Sequence, residues 1–345
     1  MIRIGVIGGG MIGRDHIEGL NRGGAEITAL AEPIDERRKE VQEEYGIPDG
    51  YADGEELVEK GNVEAVSIGT PNALHKPQTI AALKKGLHVL CEKPMAMNAG
   101  ESVEMIEAAH ASGKLLMMAF NQMFNPGIWK MMELREQGVF GEVYHGRTTQ
   151  IRQSGDPSSH GSWFTDAKMA GAGITFDLAS HSFYRAWYAM GKPVPVSVSG
   201  AVYQKFVSGD VDDFSAALIR FEGGRTLLLE ASWEAARIDQ GKRTMIMGTK
   251  GGADYRAEQE AFTLVRKEAG SAVEEEIDLG PVNAGSKYQH FVDCLEKKIP
   301  CLCPAADGYI VQLVLDSILR SSKDNREIAI ELDPVVLEKG VWKPE

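Results

Sequence analysis

Short apolar runs alternate with amphipathic, charged stretches through the first third of the chain, and the spacing predicts a strand–helix repeat. Residues 2–7 read as a strand and 12–21 as a helix. Residues 26–31 form a second strand, followed by a charged helix over 35–45. The strand at 65–69 leads into a helix over 75–85. A strand over 86–91, a helix over 98–110 and an apolar strand over 115–119 complete the series. Strands this apolar, each separated by a helix, imply a parallel sheet covered on both faces.

After about Phe120 the pattern changes to longer runs of period two, at 142–153, 196–205, 214–221, 226–233 and 244–247. Glu222-Gly223-Gly224-Arg225 separates two of them and predicts a hairpin, because adjacent glycines tolerate the positive φ such turns need. Helical patterns interrupt at 176–190 and again from 286 to 321. Runs of strands with helices set apart imply an antiparallel sheet with helices on one face. The expected fold is therefore α/β, a doubly wound parallel sheet over 1–120 followed by an α+β unit with a large, open, mostly antiparallel sheet over 121–345. The last segment is expected to pack back on the first unit. The acidic run Glu274-Glu275-Glu276 is too short for an interaction tail and marks a solvated strand or loop edge.

The length of 345 residues suits two domains. With 43% hydrophobic and 25% charged residues the composition is that of an ordinary globular protein. A net charge of −13 with interspersed signs disfavours nucleic acid, whose binding rests on Lys and Arg neutralising phosphates. No run approaches the ~20 apolar residues that span a bilayer, and Met1 leads straight into a strand without a secretory pattern. A cytoplasmic enzyme with no membrane or nucleic-acid partner is expected. Cys91, Cys294, Cys301 and Cys303 show no disulfide framework. Cys301-Leu302-Cys303 lacks a second pair or nearby His to complete a tetrahedral set, so reduced structural thiols and no metal are expected.

"GVIGGGMIGRDH" gives Gly8-x-Gly10-x-x-Gly13 at the first strand–helix junction. Gly8 permits the tight turn, Gly10 lets a pyrophosphate approach the backbone, and Gly13 lets helix and strand pack closely. Glu32 ends the second strand about 20 residues on, where an acid grips adenosine ribose hydroxyls. Glu32 also repels a 2′-phosphate, which favours NAD over NADP, although Arg37 and Arg38 stand nearby. The alternative is a glycine-rich turn without a ligand. "GTPNALHKP" puts Thr70, Pro71, Asn72 and His75 at the carboxyl edge of the sheet, as ligand contacts or as a plain turn and helix cap. "LCEKPM" places Glu92, Lys93 and Pro94 at the end of a buried strand, more chemistry than a turn requires. "GITFDLASHSF" carries Asp177 and His181 four apart, on one helix face. A carboxylate beside an imidazole makes an oriented general base or a surface ion pair. A zinc site from Asp177, His181 and His160 or His145 lacks a supporting motif.

Together these segments resemble the Gfo/Idh/MocA oxidoreductases, which include inositol and sugar dehydrogenases. The resemblance covers essentially the whole chain and rests on "GVIGGGMIG", "GTPNALHKPQTIAALKKGLHVLCEKPMA", "AGAGITFDLASH" and "YQHFVDCLEKK". It implies that Lys93 is the active-site lysine beside the nicotinamide, and that Asp177 and His181 are a catalytic pair brought to it across the domain interface. It places Gly8, Gly10, Met11, Ile12, Gly13, Glu32, Thr70, Asn72, His75 and Glu92 at cofactor contacts, with Pro71, Lys93 and Asn121 beside them. It also implies a cis Lys93–Pro94 peptide and a homodimer or homotetramer formed through the open sheet. Met123 stands where many members carry Arg, which argues against an anionic substrate. Ala172 stands in a triplet that is usually all glycine.

The expected activity is hydride transfer between NAD and a secondary alcohol of a sugar, sugar derivative or inositol-like polyol. His181 would accept the hydroxyl proton, Asp177 would orient its imidazole, and Lys93 would stabilise alkoxide character. Substrate contacts are expected from Lys93, Asn121, His160, Trp163, Asp177, His181 and Trp233. Two other functions use the same features. An NAD-dependent glycosidase would oxidise its sugar transiently and then eliminate, and a dinucleotide-binding regulator would bind without catalysis.

Overall fold

The computed structural model describes residues 1–345 except 154, 156, 158–160, 236–240, 269, 281–284 and 342–345. Six strands form one parallel sheet: β1 (Arg3–Ile7), β2 (Glu26–Ala31), β3 (Asp49–Tyr51), β4 (Ala65–Ile68), β5 (His88–Cys91) and β6 (Leu116–Met118). Their order is β3-β2-β1-β4-β5-β6. All of β4 is buried, as a strand covered on both faces must be. The covering helices are α1 (Met11–Arg22), α2 (Asp35–Tyr45), α3 (Gly54–Lys60), α4 (His75–Lys84) and α5 (Ala99–Ser112). The order reverses between β1 and β4, and that reversal opens a crevice at the strands' carboxyl ends.

Two of these elements carry no legible sequence signal. β3 is a three-residue edge strand with two exposed positions, and α3 spans seven residues. What fixes α3 is its cap, since the Asp53 carboxylate accepts the Glu56 backbone N–H at 2.7 Å.

The second sheet is built from β7 (Val143–Ile151), β8 (Pro195–Tyr203), β9 (Phe214–Phe221), β10 (Thr226–Ser232), β11 (Gly241–Gly248), β12 (Gly251–Arg256), β13 (Ala261–Glu268), β14 (Ser271–Glu276) and β15 (Ile328–Ala329). Their order is β14-β13-β12-β11-β7-β10-β9-β8-β15. The β7–β10 pair is parallel and the other described pairs are antiparallel. The β9–β10 hairpin turns at Gly223 and Gly224, with φ of 72° and 71°. The acidic run lies in β14, which is exposed throughout and pairs with β13.

Helices α6 (Pro126–Glu136), α7 (Ala167–Ala170) and α8 (Leu178–Ala189) follow the parallel sheet and flank β7. The side chain of Arg185 ties α8 to one face of the second sheet. It donates to Thr244 Oγ1 at 2.8 Å, to Gln150 Oε1 at 2.9 Å and to the Thr149 carbonyl at 2.5 Å.

The helical stretch expected over 286–321 comprises α9 (Lys287–Glu296) and α10 (Ala305–Asp324), with α11 (Pro334–Lys339) beyond. The break has a plain cause. Pro300 lies in the gap and Pro304 caps α10, and proline ends one helix and starts the next. α9 lies against α1 so closely that a Cβ on Gly19 would sit 2.0 Å from the Tyr288 ring. The Tyr288 hydroxyl donates to Asp15 at 2.5 Å. α10 packs beside α5, where the Ala99 N–H donates to the Asp316 carboxylate at 2.7 Å.

Candidate active site

A cavity of about 1370 Å³ runs over the carboxyl ends of β1, β2, β4 and β5 and reaches the second sheet. Its wall includes Gly8, Gly10, Met11, Ile12, Glu32, Thr70, Pro71, Asn72, His75, Glu92, Lys93, Asn121, Trp163, Asp177 and His181. Gly13 lies behind the wall, where a Cβ would meet the Gly8 carbonyl at 1.8 Å. Gly8 has φ 105°, and a Cβ there would meet the Gly69 carbonyl at 2.7 Å. A Cβ on Gly10 would instead meet open space, and no side chain caps α1 at that end. The turn therefore exposes free backbone N–H groups and a helix N-terminus to the cavity, the surroundings a pyrophosphate requires.

Glu32 is 3% exposed and anchors the next edge of the crevice. Its carboxylate accepts the N–H of Gly9 at 2.9 Å and of Ile34 at 3.0 Å. Both nearby arginines are engaged here. Arg37 lies 3.4 Å from the Glu32 carboxylate, while Arg38 donates to the Glu32 carbonyl at 2.7 Å and to Asp35 at 2.5 Å.

Beyond β5 the chain turns through a cis Lys93–Pro94 bond. His75 sits against this turn, its Nδ1 2.8 Å from the Pro94 carbonyl and its Nε2 3.0 Å from the Thr70 carbonyl. Burial lowers its pKa, and a neutral ring donates to one carbonyl at a time. Glu92 heads a buried network that the sequence did not disclose. Its carboxylate accepts from Lys287 at 2.6 Å, from His16 Nε2 at 2.9 Å and from the Lys93 N–H at 3.1 Å. Since Nε2 of His16 gives its proton to that carboxylate, Nδ1 accepts from the Ser67 hydroxyl at 2.6 Å. Burial pushes the Glu92 pKa up, yet Lys287, His16 and Lys93 hold it well below the usual carboxylate range.

The Lys93 ammonium donates to Asp177 Oδ1 at 2.9 Å, and the Trp233 indole N–H donates to Asp177 Oδ2 at 2.9 Å. Burial opposes the charge on Asp177, but Lys93, His181 and Trp233 hold its pKa at about 2. Burial first, and the Lys93 cation second, push His181 well below the usual imidazole range, so the ring is neutral near pH 7. No group among the described residues bonds its buried Nδ1.

Asp177 does not bond the His181 imidazole as expected. It precedes α8 with φ −84° and ψ −89°, outside helical geometry, so the four-residue spacing does not stack the two side chains. A loop fixes this entrance. A Cβ on Gly173 would lie 1.9 Å from the Asp212 carbonyl. The Asp212 carboxylate accepts the N–H groups of Gly173 and Thr175 at 2.8 and 2.9 Å and the Thr175 hydroxyl at 2.5 Å.

Other expectations change as well. Trp233 is 1% exposed and holds Asp177, so it offers substrate no ring face. Met123 is fully buried beside Cys303 and Tyr184 rather than in the wall, so its identity says nothing about substrate charge. Arg152 and Lys242 do line the cavity, as does Gln150. Asn72 reaches across the crevice and donates to the Ala170 carbonyl at 2.7 Å. His145 bonds Thr226 Oγ1 at 2.8 Å and is not in the wall, so it cannot join Asp177 and His181 in a metal site. His160 lies outside the described residues.

Residues 2–120 match the family model GFO_IDH_MocA, described as "Oxidoreductase family, NAD-binding Rossmann fold", and residues 128–254 match the "GFO/IDH/MocA C-terminal domain". The chain is 31% identical to myo-inositol 2-dehydrogenase of Thermotoga maritima over 254 residues, 72% of this chain and 74% of that protein. It is 25% identical to D-glucoside 3-dehydrogenase of Escherichia coli over 356 residues, 95% of this chain and 97% of that one. The solved structure of levoglucosan dehydrogenase in complex with NADH has the same fold, with a TM-score of 0.87 at 24% identity over 96% of this chain and 100% of that one.

Proposed function

The chain belongs to the GFO/IDH/MocA oxidoreductase family, and on that premise we propose that it transfers a hydride between NAD and a secondary alcohol of a sugar, sugar derivative or inositol-like cyclic polyol. One observation carries this reading. Lys93, from the end of β5, meets Asp177, from the entrance of α8, at 2.9 Å in the wall of a cavity that also holds the glycine turn and His181.

The residues suit a nicotinamide dinucleotide: a glycine cradle that a Cβ would fill, an open helix N-terminus, and a buried acid at the end of β2. Gly8, Gly10, Met11 and Ile12 would hold the pyrophosphate, and Glu32 the adenosine ribose. Thr70, Pro71, Asn72, His75, Glu92 and Asn121 would hold the nicotinamide half. The preference is for NAD over NADP, because a 2′-phosphate would face the Glu32 carboxylate while Arg37 and Arg38 are already paired. Bound there, the dinucleotide supplies the hydride acceptor.

The protein's part is to place the C–H bond and manage the proton. His181, neutral and free of any bond to Asp177, accepts the hydroxyl proton. Lys93 donates to the same oxygen and stabilises its developing charge. Asp177, fixed by Trp233, holds the Lys93 ammonium in place. Asn121, Gln150, Arg152 and Lys242 offer donors to a hydroxyl-rich ring, and Trp163 offers a stacking face. The nucleotide half would be residues 1–120 and the substrate half 121–345. A homodimer or homotetramer would form through the uncovered face of the second sheet, where Leu228 and Met247 are exposed.

The test is a screen of inositols, aldoses and glycosides with NAD and with NADP, following reduced cofactor and sugar products together. Accumulation of NADH with a polyol or sugar is expected. Released sugar without net NADH would mean the glycosidase chemistry, and binding of NAD without turnover of any alcohol would mean a regulator.

A further inference from the structure

α9 and the loop after it gather three metal-ligating side chains away from the cavity wall. His290 and Cys294 are four apart on α9 and leave the same face of the helix. The chain then turns at Pro300 and brings Cys301 back to them. His290 Nε2 lies 3.4 Å from Cys294 Sγ, and the ligand atoms of His290, Cys294 and Cys301 all fall within 4.8 Å of one another. With Zn–S near 2.3 Å and Zn–N near 2.0–2.1 Å, donors around one tetrahedral ion stand about 3.5–3.8 Å apart. We propose that His290, Cys294 and Cys301 bind a divalent cation of the zinc class, leaving the fourth coordination position open.

The chemistry of the three groups supports a cation. An imidazole nitrogen and two thiol sulfurs are the donor types zinc takes, and Cys294 Sγ already lies beside His290 Nε2. Binding is balanced as two thiols and Zn²⁺ giving a bis-thiolate complex and two released protons. Neither sulfur is oxidised.

Two features set the strength. Three protein ligands are one short of a closed structural site. The Leu302 N–H now occupies the Nε2 lone pair at 2.9 Å, and the cation must displace it. The site is therefore exchangeable and yields its ion to a chelator. Cys301 is the partly exposed member and marks the entry side. Occupancy would pin the 297–304 loop to α9, whose first residue, Lys287, backs the Glu92–Lys93 turn.

The test is a cobalt titration of the full-length protein, reduced and kept free of oxygen, followed by zinc competition. One equivalent of Co²⁺ should give tetrahedral d–d bands and a thiolate charge-transfer band, both erased by Zn²⁺. Removing a second-shell partner already costs about 10–100-fold in metal affinity, so Cys294→Ser and Cys301→Ser should each weaken binding at least about 100-fold. Cys301→Ser should retain NAD binding, which shows that it is folded. The proposal is overturned by an octahedral cobalt spectrum, by unchanged affinity in a folded Cys301→Ser variant, or by a Cys294–Cys301 disulfide in protein isolated without added oxidant. None of these outcomes depends on the dehydrogenase activity.

Discussion

Asp177 shows how much one side chain's surroundings decide. It is the acid of the expected pair, yet its two oxygens serve Lys93 and Trp233. Trp233 is therefore a positioning residue, and Trp233→Phe keeps an aromatic ring while removing the donor. A bond to a charged group is worth about 1.5–3 kcal/mol, so kcat/KM should fall roughly tenfold or more with the KM for NAD unchanged. The Asp177 pKa should rise from about 2, and the acid limb of the pH–rate profile should rise with it. A profile identical to wild type would remove Trp233 from the account. His181 carries a second prediction. Burial and Lys93 hold its pKa well below the usual value, so the unfolded state binds the extra proton. Its stability contribution is then complete above about pH 6.5 and is lost as pH falls below that. The kcat/KM profile should cross pH 6.5 without a break, and an ionisation there that vanishes in His181→Asn would contradict the assignment. Lys93, Asp177 and His181 were legible because each stands in a specific motif. The bonds between them were not, because four-residue spacing presumes a helix that includes Asp177, whereas α8 begins at Leu178.

At the scale of elements, periodicity was informative where elements are long. The alternation of β9 and the apolar core of β4 announce themselves, whereas β3 and α3 are too short to carry a period. Lys287 shows the same limit within a site. It opens α9, far along the chain, and nothing nearby indicates that it faces Glu92. His16, three residues past the glycine motif, was the available clue. Lys287 and Glu92 are both buried, so Lys287→Met leaves a charge without its main partner. A loss of about 3–5 kcal/mol is expected in urea unfolding. Because Glu92 is held low, its contribution is present above about pH 4.3 and is lost as pH falls through the lowered value. In Lys287→Met that loss should begin at higher pH. A change below about 1 kcal/mol would show that water, and not Lys287, compensates Glu92.

The whole molecule places one half of the chemistry at the end of β5 and the other at the start of α8, which packs on the second sheet, and then locks the two together. α9 against α1, α10 against α5, and Asn72 across to Ala170 keep Lys93 and Asp177 in register. A parallel sheet, an antiparallel sheet and their order along the chain could be read from residue pattern alone. The return of the C-terminal helices determines the distance between halves, and that depends on packing such as Gly19 against Tyr288. The most direct test of the account measures cofactor binding and turnover together in Lys93→Ala, with whichever polyol or sugar the wild type oxidises. Loss of the donor positioned on the developing alkoxide should lower kcat by about 100-fold to 1,000-fold while the Kd for NAD stays within about threefold. Near-normal turnover with NAD still bound would contradict the account, because the meeting of Lys93 with Asp177 would then be structural and the alkoxide charge would be stabilised by another group.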